Sequence, residues 1–352
     1  ENQMFAKKTL VAAAALLAAV AAQAQSSVSV YGNLDIGIGS FKAPSFVLDT
    51  TTGYPTGAVA KGDSTTKVES GIEAGSFIGF KGQEDLGGGL KAIFKLESVV
   101  GLDTGSTTSN FWTRTSEVGL AGAYGTLTAG NSLSLNYLAN ATFNPFPVTG
   151  MLNVSQNLYQ DESFRKNVLT YVSPNYAGFS GAVQYSAGEG AKKVNALGAA
   201  TTADADDIYA VQLNYGAGPL AVGLTYSDNV SLMSNIGLKG QYGYQWQLGA
   251  SYDFGVAKAF AQYGQAKADD NWDSKAKFYQ LGVSVPVTAN DVVLGSFAET
   301  KLDDVRAREF SLAYDHSLSK RTGVYAGLVY ANFKADNTES GTTYAVGLRH
   351  AF

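Results

Sequence analysis

The sequence predicts an all-β protein, a closed transmembrane barrel of sixteen antiparallel strands, and three observations support this fold class. Large or apolar residues alternate with small or polar ones along many segments, as in "YGYQWQLGASYDF" at 242–254, which is the period of a strand with two different faces. Short and long connections alternate between these segments. Forty Gly, twenty Tyr and eighteen Phe accompany only seven Pro, a composition that suits a barrel with aromatic girdles and tight turns.

Period-two alternation occurs in about sixteen segments of the chain. Short connections such as 84–88 and 216–218 contrast with long ones at 39–71, 131–163 and 188–206. An even number of strands places both chain ends on one side and leaves no free edge. We predict strands at 27–38, 72–82, 89–99, 111–121, 125–131, 164–173, 178–187, 207–215, 219–228, 241–254, 256–267, 276–287, 291–301, 307–316, 322–334 and 342–352.

A membrane location would decide which face of each strand points outward. No stretch after Gln25 approaches the roughly 20 apolar residues of a membrane helix, so a membrane location requires a closed barrel that satisfies every backbone group. The apolar face should then point to lipid, and the polar face, which includes Gln245 and Gln247, should line water. Side chains cannot plug a barrel of about sixteen strands, so we expect an aqueous channel.

The N-terminal residues have the features of an export signal. Two lysines precede thirteen apolar residues at 10–22, and an Ala-Gln-Ala cleavage site follows at 22–24. This order predicts a signal peptide removed before Gln25, because thirteen residues are too few to span a membrane. We therefore divide the chain into an upstream extension with signal peptide, 1–24, and a barrel domain, 25–352.

Composition argues against several classes of function. The formal net charge of −5 argues against nucleic acid as a partner. The chain has no cysteine and hence no disulfide framework. Its two histidines, His316 and His350, have no metal-ligand spacing, and neither lies on a face suited to a catalytic base. We expect no metal, no cofactor and no enzymatic activity.

Sequence blocks along the whole barrel domain resemble the general porins of β-proteobacteria, in the order that the family shows. The resemblance implies a sixteen-stranded homotrimer in the outer membrane, with short periplasmic turns and long extracellular loops. It also implies contacts with lipid, lipopolysaccharide and the barrel assembly machinery, which recognises the terminal Phe352. The blocks are "SVSVYGNLDIGI" (27–38), "GFKGQEDLGGGLKAIFKLE" (79–97), "FWTRTSEVGLAGAYGTLTAG" (111–130), "NVLTYVSPNYAGFSGAVQYSAGE" (167–189), "SLSKRTGVYAGLVYANF" (317–333) and "GLRHAF" (347–352).

The third loop, about 131–163, is implied by the resemblance to fold into the lumen and narrow it. No charged side chain occurs from Asn131 to Gln160, which fits a loop packed on an inner wall better than one in water. An exposed neutral loop and an intersubunit contact are the open alternatives. We assign five constriction residues to this loop: Asn144, Pro145, Phe146, Asp161 and Glu162.

Candidate selectivity residues follow from the same resemblance. It places constriction arginines at Arg114 and Arg165, whereas alternation in "RKNVLTYV" would turn Lys166 inward instead. A bulge where loop meets strand would resolve this conflict, and both alternatives stay open. Phe77 replaces an arginine of the family pattern and has lumen parity. It either packs under the third loop or offers an apolar contact surface to a solute.

Other charged residues share the lumen parity. Lys81 belongs with the constriction candidates, and the wall candidates are Asp35, Lys91, Lys95 and Arg349. Fields of exposed charges fade over about 8 Å at physiological salt, so only charges at the narrowest point should govern selectivity.

These observations predict a passive channel for small hydrophilic solutes and ions, with size exclusion at the third loop and a weak charge preference. A substrate-specific channel for organic acids or sugars is the main alternative, and Phe77 and Tyr31 are its aromatic candidates. An outer-membrane enzyme would need a nucleophile and base that the sequence does not place together. Strand length and loop segregation count against a soluble β lectin.

Overall fold

The structure is a computed structural model. It describes residues 27–42, 63–108, 110–146, 150–155, 164–188, 193–194, 200–201, 207–233, 239–268, 275–302, 305–334 and 340–352. The expected signal peptide and the loop residues Asp161 and Glu162 lie outside the described residues.

Almost all of the described secondary structure is β-strand. Within the described ranges, no helix has the length and apolarity needed to cross a membrane. The elements are β1 (Ser27–Phe41), β2 (Thr65–Ser70), β3 (Phe77–Gly87), β4 (Leu90–Val99), β5 (Thr115–Gly122), β6 (Gly125–Leu133), α1 (Leu135–Thr142), β7 (Phe164–Val172), β8 (Phe179–Ser186), β9 (Lys193–Val194), β10 (Ala200–Thr201), β11 (Ile208–Ala217), β12 (Leu220–Met233), β13 (Lys239–Asp253), β14 (Lys258–Ala268), β15 (Lys275–Pro286), β16 (Asp291–Leu302), β17 (Val305–Ser317), β18 (Thr322–Lys334) and β19 (Gly341–Ala351).

Seventeen of these strands form one closed antiparallel sheet with sixteen strand positions. Both β2 and β3 pair with β1, β2 along 36–41 and β3 along 27–33. They are therefore two halves of one barrel strand, interrupted at 71–76. Because β19 also pairs with β1, the sheet has no free edge. The predicted sixteen-stranded antiparallel barrel is confirmed, but the predicted strand 72–82 begins only at Phe77.

Side chains along the strands are arranged inside out compared with those of a soluble protein. In β13, Leu248 and Tyr252 are exposed, whereas Gln245 and Gln247 are completely buried. The same parity runs around the barrel. Exposed apolar side chains on one face of each strand are what a lipid-facing wall requires, and polar ones on the other face belong to the barrel interior.

The two ends of the barrel differ. At one end, which we call the short-turn end, the strands are joined by connections such as 88–89, 123–124 and 218–219. At the opposite end, which we call the loop end, the connections 100–114 and 134–163 are long. In the second half of the chain the loop-end connections are short as well, so the predicted alternation holds only for the first half. There β12–β19 have 11 to 15 residues, compared with 8 to 11 in β3–β8.

A charge placed on the outer face should destabilise the barrel in a depth-dependent way. Leu281 is 63% exposed near the middle of β15, and Val287 is 59% exposed just beyond the strand, at the short-turn end. We expect Leu281→Lys to lower the free energy of unfolding from lipid vesicles by about 2–4 kcal/mol and Val287→Lys by less than about 1 kcal/mol. Urea titrations of both variants measure this. Equal losses would contradict a lipid-facing Leu281.

Candidate functional site

The third loop turns into the barrel at helix α1. Ser134 caps the helix, because its side-chain oxygen accepts a hydrogen bond from the backbone N–H of Tyr137 at 3.1 Å, as is typical of an N-cap. Asn136 Nδ2 then donates to Ser227 Oγ on the inner face of β12 at 2.9 Å. The helix contacts β11, β12 and β13. The described start of the loop therefore lies against the inner wall.

A row of buried glutamines on the opposite strands binds this loop. Gln247 pairs with Gln262, and Gln262 Nε2 lies 2.9 Å from Gln280 Oε1. The same Nε2 lies 3.1 Å from the carbonyl oxygen of Asn140 and 2.9 Å from that of Phe143. The expectation that Gln245 and Gln247 line water is thus wrong, since both side chains are covered.

Glycines on the inner wall make room for the loop. A Cβ atom at Gly223 or Gly249 would collide with the ring of Phe143, and one at Gly282 would collide with Pro145. The wall glycines thus form sockets into which the loop side chains fit. Overpacking such a contact costs about 1–3 kcal/mol, so these positions require a residue without a side chain.

Asn144 and Phe146, two of the predicted constriction residues, are buried within the loop itself. Asn144 Nδ2 donates to Asn153 Oδ1 at 2.8 Å and to Ser155 Oγ at 2.5 Å. Asn144 Oδ1 accepts from the backbone N–H of Phe146 at 2.9 Å. These contacts tie the two described parts of the loop together. In this geometry Asn144 and Phe146 fix the shape of the loop; their role in permeation stays a prediction.

A hydrophobic core lies inside the barrel, beside β15–β19. Phe146, Leu152 and Val154 of the loop pack there with Ile72, which belongs to the interruption between β2 and β3. This core fills part of the barrel interior. Its wall members are Phe278, Leu294, Ala298, Ala307, Ala313, Tyr325, Val329 and Ala345.

Residues 71–76, which we call the strap, fold inward from the barrel wall and are held by Asp35. The Asp35 carboxylate accepts hydrogen bonds from the backbone N–H groups of Ile72 and Ala74, both at 3.0 Å, and from the Tyr325 hydroxyl at 2.7 Å. Hydrogen bonds to a charged acceptor are the strong ones. Asp35 faces the barrel interior, where it is fully buried beneath the strap; its role in permeation stays a prediction.

The strap in turn holds the third loop. The backbone N–H of Leu152 donates to the carbonyl oxygen of Ile72 at 3.1 Å, and that of Met151 donates to Gly71 at 3.3 Å. Gly150 approaches the strap backbone so closely that a Cβ atom could not fit. A continuous path of contacts therefore runs from the Asp35 carboxylate through the strap to the loop.

Several predicted selectivity residues meet on the wall formed by β1, β3 and β4. Arg114 forms an ion pair with Glu97 at 2.9 Å, and its guanidinium lies 4.5 Å from the ring centroid of Phe77. Tyr31 donates to Glu97 at 2.5 Å and contacts Phe77 edge to face, with 5.9 Å between centroids. Lys81 Nζ lies 4.5 Å from the Tyr31 ring centroid. We call these five residues the wall cluster.

Arg114 of the wall cluster is not a free cation, because it is paired with a carboxylate. The sequence did not predict Glu97 as the partner of Arg114, because their pairing depends on strand register. The contacts of Phe77 are with Arg114 and Tyr31, so its ring supports a cation on this wall.

The remaining wall charges are mostly paired. Arg349 contacts Glu73 at 3.3 Å and Asp315 at 2.9 Å. Lys95 pairs with Glu117 of the neighbouring strand at 3.1 Å.

Lys91 is exposed near the short-turn end. No group of three or more His, Asp and Glu side chains in the described part of the chain is arranged to hold a metal ion.

A bulge lies directly after Arg165 in β7, as the alternative with an inward Arg165 required. Asn167 has a φ of 53°, and the register between β6 and β7 shifts at this point. Arg165 is buried at 2% exposure. Lys166 instead lies in a groove of about 950 Å³ with Leu169 and Tyr185, two residues of the outward face. The geometry favours Arg165 as the inward residue and puts Lys166 on the outward face; the role of either residue in selectivity stays a prediction.

The terminal Phe352 completes the closure of the barrel. Its backbone exchanges two hydrogen bonds with Gly32, both at 3.2 Å, and its ring covers that glycine. Its role as an insertion signal stays a prediction.

A wide barrel with an apolar exterior, a polar wall and an inward loop defines the class of transmembrane β-barrel channels. Over residues 10–337 the chain matches the family described as Gram-negative porin. It is 31% identical to outer membrane porin protein 32 of Delftia acidovorans and, likewise, 31% identical to an outer membrane porin protein of Bordetella pertussis. Each alignment covers 98% of this chain and 100% of the relative.

Solved structures show the same architecture. The anion-selective porin from Comamonas acidovorans superimposes with a TM-score of 0.74 at 28% identity, over 93% of this chain and 100% of that one. The trimer form of OmpT of Vibrio cholerae shares the fold, with a TM-score of 0.60 at 14% identity, over 93% and 99% of the two chains. The chain belongs to the Gram-negative porin family. It is an outer-membrane porin, and its relatives are channels rather than enzymes.

Removing the Asp35 charge should loosen the strap and, through it, the loop. Each hydrogen bond to a charged group contributes about 1.5–3 kcal/mol, so we expect Asp35→Asn to lower the free energy of unfolding by about 3 kcal/mol and to increase single-channel current noise. Asp85→Asn is the control, because Asp85 accepts a 2.8 Å hydrogen bond from Gly87 in an exposed turn. If Asp35→Asn kept both the stability and the noise of the parent, Asp35 would not anchor the strap.

A side chain in the Phe143 socket should displace the loop from the wall. We expect Gly249→Val to change the size limit for sugars in liposome-swelling assays, because the new methyl groups occupy the place of the Phe143 ring. Gly216→Val is the matched control, since a Cβ atom there meets no other atom within 4 Å. An unchanged size limit in folded Gly249→Val would show that Phe143 does not set the position of the loop.

Proposed function

We propose that this porin is a passive channel through which small hydrophilic solutes and ions cross the outer membrane, narrowed by its third loop. The observation that carries the proposal is the attachment of the loop to the inner wall. Gln262 binds its backbone, wall glycines receive Phe143 and Pro145, and the strap binds Met151 and Leu152. A loop held in this way leaves an opening of fixed size beside the wall cluster, and size exclusion there requires no chemical reaction.

Ion selectivity should be weak and in favour of anions. Most interior cations are offset by a carboxylate, as the pairs of Arg114 with Glu97 and of Lys95 with Glu117 illustrate. Lys81 contributes positive charge beside the Tyr31 ring. The similarity to an anion-selective porin supports the same sign of preference in this chain, and the paired arginines account for a smaller effect.

The proposal extends to assembly in the membrane. We infer a homotrimer, supported by the trimer form recorded for a barrel of the same fold and by the closed rings that heterologous interfaces make. Outer-membrane lipid and lipopolysaccharide would contact the exposed apolar belt, and the barrel assembly machinery would recognise the end at Phe352.

A substrate-specific channel for organic acids or sugars is the second candidate. Its support is the pair of aromatic residues Tyr31 and Phe77 on the wall, where an arginine would favour simple anions.

Neutralising Arg114 and neutralising Glu97 in the wall cluster should shift the ion selectivity in opposite directions. In planar bilayers under a KCl gradient, we expect discrete triplet conductance steps and a reversal potential with a weak anion preference. Arg114→Ala should reduce the preference, and Glu97→Gln should raise it, because Arg114 then loses its counter-charge. Lys301→Ala, on the outward parity of β16, is the control.

The outcomes separate the parts of the proposal. An unchanged reversal potential in both Arg114→Ala and Glu97→Gln would remove the wall cluster from the constriction and keep the channel. Single rather than triplet steps would count against the trimer. No conductance from folded protein would overturn the passive channel.

A further inference from the structure

The interior contains a cavity of about 410 Å³ near the short-turn end. It lies between the wall cluster and the turn that joins β17 to β18. Its size is in the range of pockets that hold small molecules. We propose that this cavity binds a small organic carboxylate with an apolar body, such as an aromatic acid. The inference rests on the proposed channel and specifies the class of solute that it retains.

One side of the cavity is apolar. Phe77 faces it together with Ala74 and Gly75 of the strap and Ala351 at the end of β19. Arg114 and Tyr31 contact the Phe77 ring and fix its orientation, and the ring is part of the cavity lining. Such a surface suits the body of an organic acid and contributes nothing to the binding of an inorganic anion.

The other side of the cavity is cationic. Arg114, Arg349, Lys320 and Arg321 line it. Lys320 and Arg321 are exposed on the turn, and no carboxylate of the described residues pairs with either of them. They therefore supply positive charge that remains available to a carboxylate in the cavity.

The turn between β17 and β18 also supplies the hydroxyl group of Ser319 as a hydrogen-bond donor. Ser319 Oγ accepts hydrogen bonds from the backbone N–H groups of Arg321 at 3.2 Å and Thr322 at 3.1 Å. With its lone pairs engaged in this way, the hydroxyl hydrogen is free to point into the cavity. A carboxylate oxygen could accept it.

Buried counter-charges decide between a monovalent acid and a polyvalent anion. Two of the four lining cations already have carboxylate partners, Arg114 with Glu97 and Arg349 with Glu73 and Asp315, which lowers the net positive charge of the cavity. A multivalent anion therefore gains little from the field, whereas a monovalent acid with an apolar body gains from the Phe77 side as well.

The test compares benzoate, acetate and inorganic phosphate as blockers of the chloride current in planar bilayers, with each anion added to both chambers. We expect benzoate to block at a concentration about tenfold lower than acetate, which burial of roughly 60 Å² of apolar surface supplies. Phosphate should block no better than acetate. Phe77→Ala should reduce the benzoate-to-acetate ratio to near one, and Arg321→Ala should weaken both acids together.

Lys258→Ala is the matched control. It removes a cation next to another aromatic ring, that of Phe260, at the same end of the barrel, and it should leave the ratio unchanged.

Equal block by benzoate and acetate in the wild type would overturn this inference without any variant, as would tighter block by phosphate. A ratio retained in Phe77→Ala would also overturn it. In each of these cases the open channel, and with it the proposed function, stands. Absence of channels from folded wild-type protein would instead overturn the proposed function.

Discussion

Closure of the backbone hydrogen-bond network is the constraint on which the rest of this structure depends. A barrel wall in lipid has no water to satisfy an unpaired N–H or C=O group, and the pairing of β1 with β19 removes the last free edge. Once the wall is closed, each strand has one face in lipid and one face inside. The alternation of apolar and polar residues follows directly from that geometry.

A closed wall of sixteen strands creates a second problem, which is an interior too wide for side chains to fill. Segments of the chain itself fill part of this wide interior. The strap between β2 and β3 and the loop that contains α1 enter the barrel, and both bring polar backbone groups that need partners. Asp35 satisfies two of them in the strap, and Gln262 lies within hydrogen-bond distance of two loop carbonyls. The inner wall is thus polar largely because its side chains form hydrogen bonds with the strap and the third loop.

Pairing of interior charges determines the electrostatic character of the remaining space. Arg114 and Arg349 each have carboxylate partners, which position them firmly and offset their charge. Shape and apolar surface therefore matter more for a solute than they would beside an unopposed row of arginines.

The sequence by itself determined the fold class, the sixteen strand positions and the outward face of each well-patterned strand, because period-two alternation is a local property of the chain. Alternation also put Phe77 and Lys81 on one face, whereas Arg114 was identified through the resemblance to porins. Only the tertiary structure decided what these residues contact. The partner of Arg114 depends on the register between strands. The inward side of Arg165 depends on a bulge that alternation does not reveal. The burial of Asp35 depends on the strap and Tyr325, and that of Gln247 on its partner Gln262, which binds the third loop. Such contacts join residues far apart in the chain, so no local pattern can specify them.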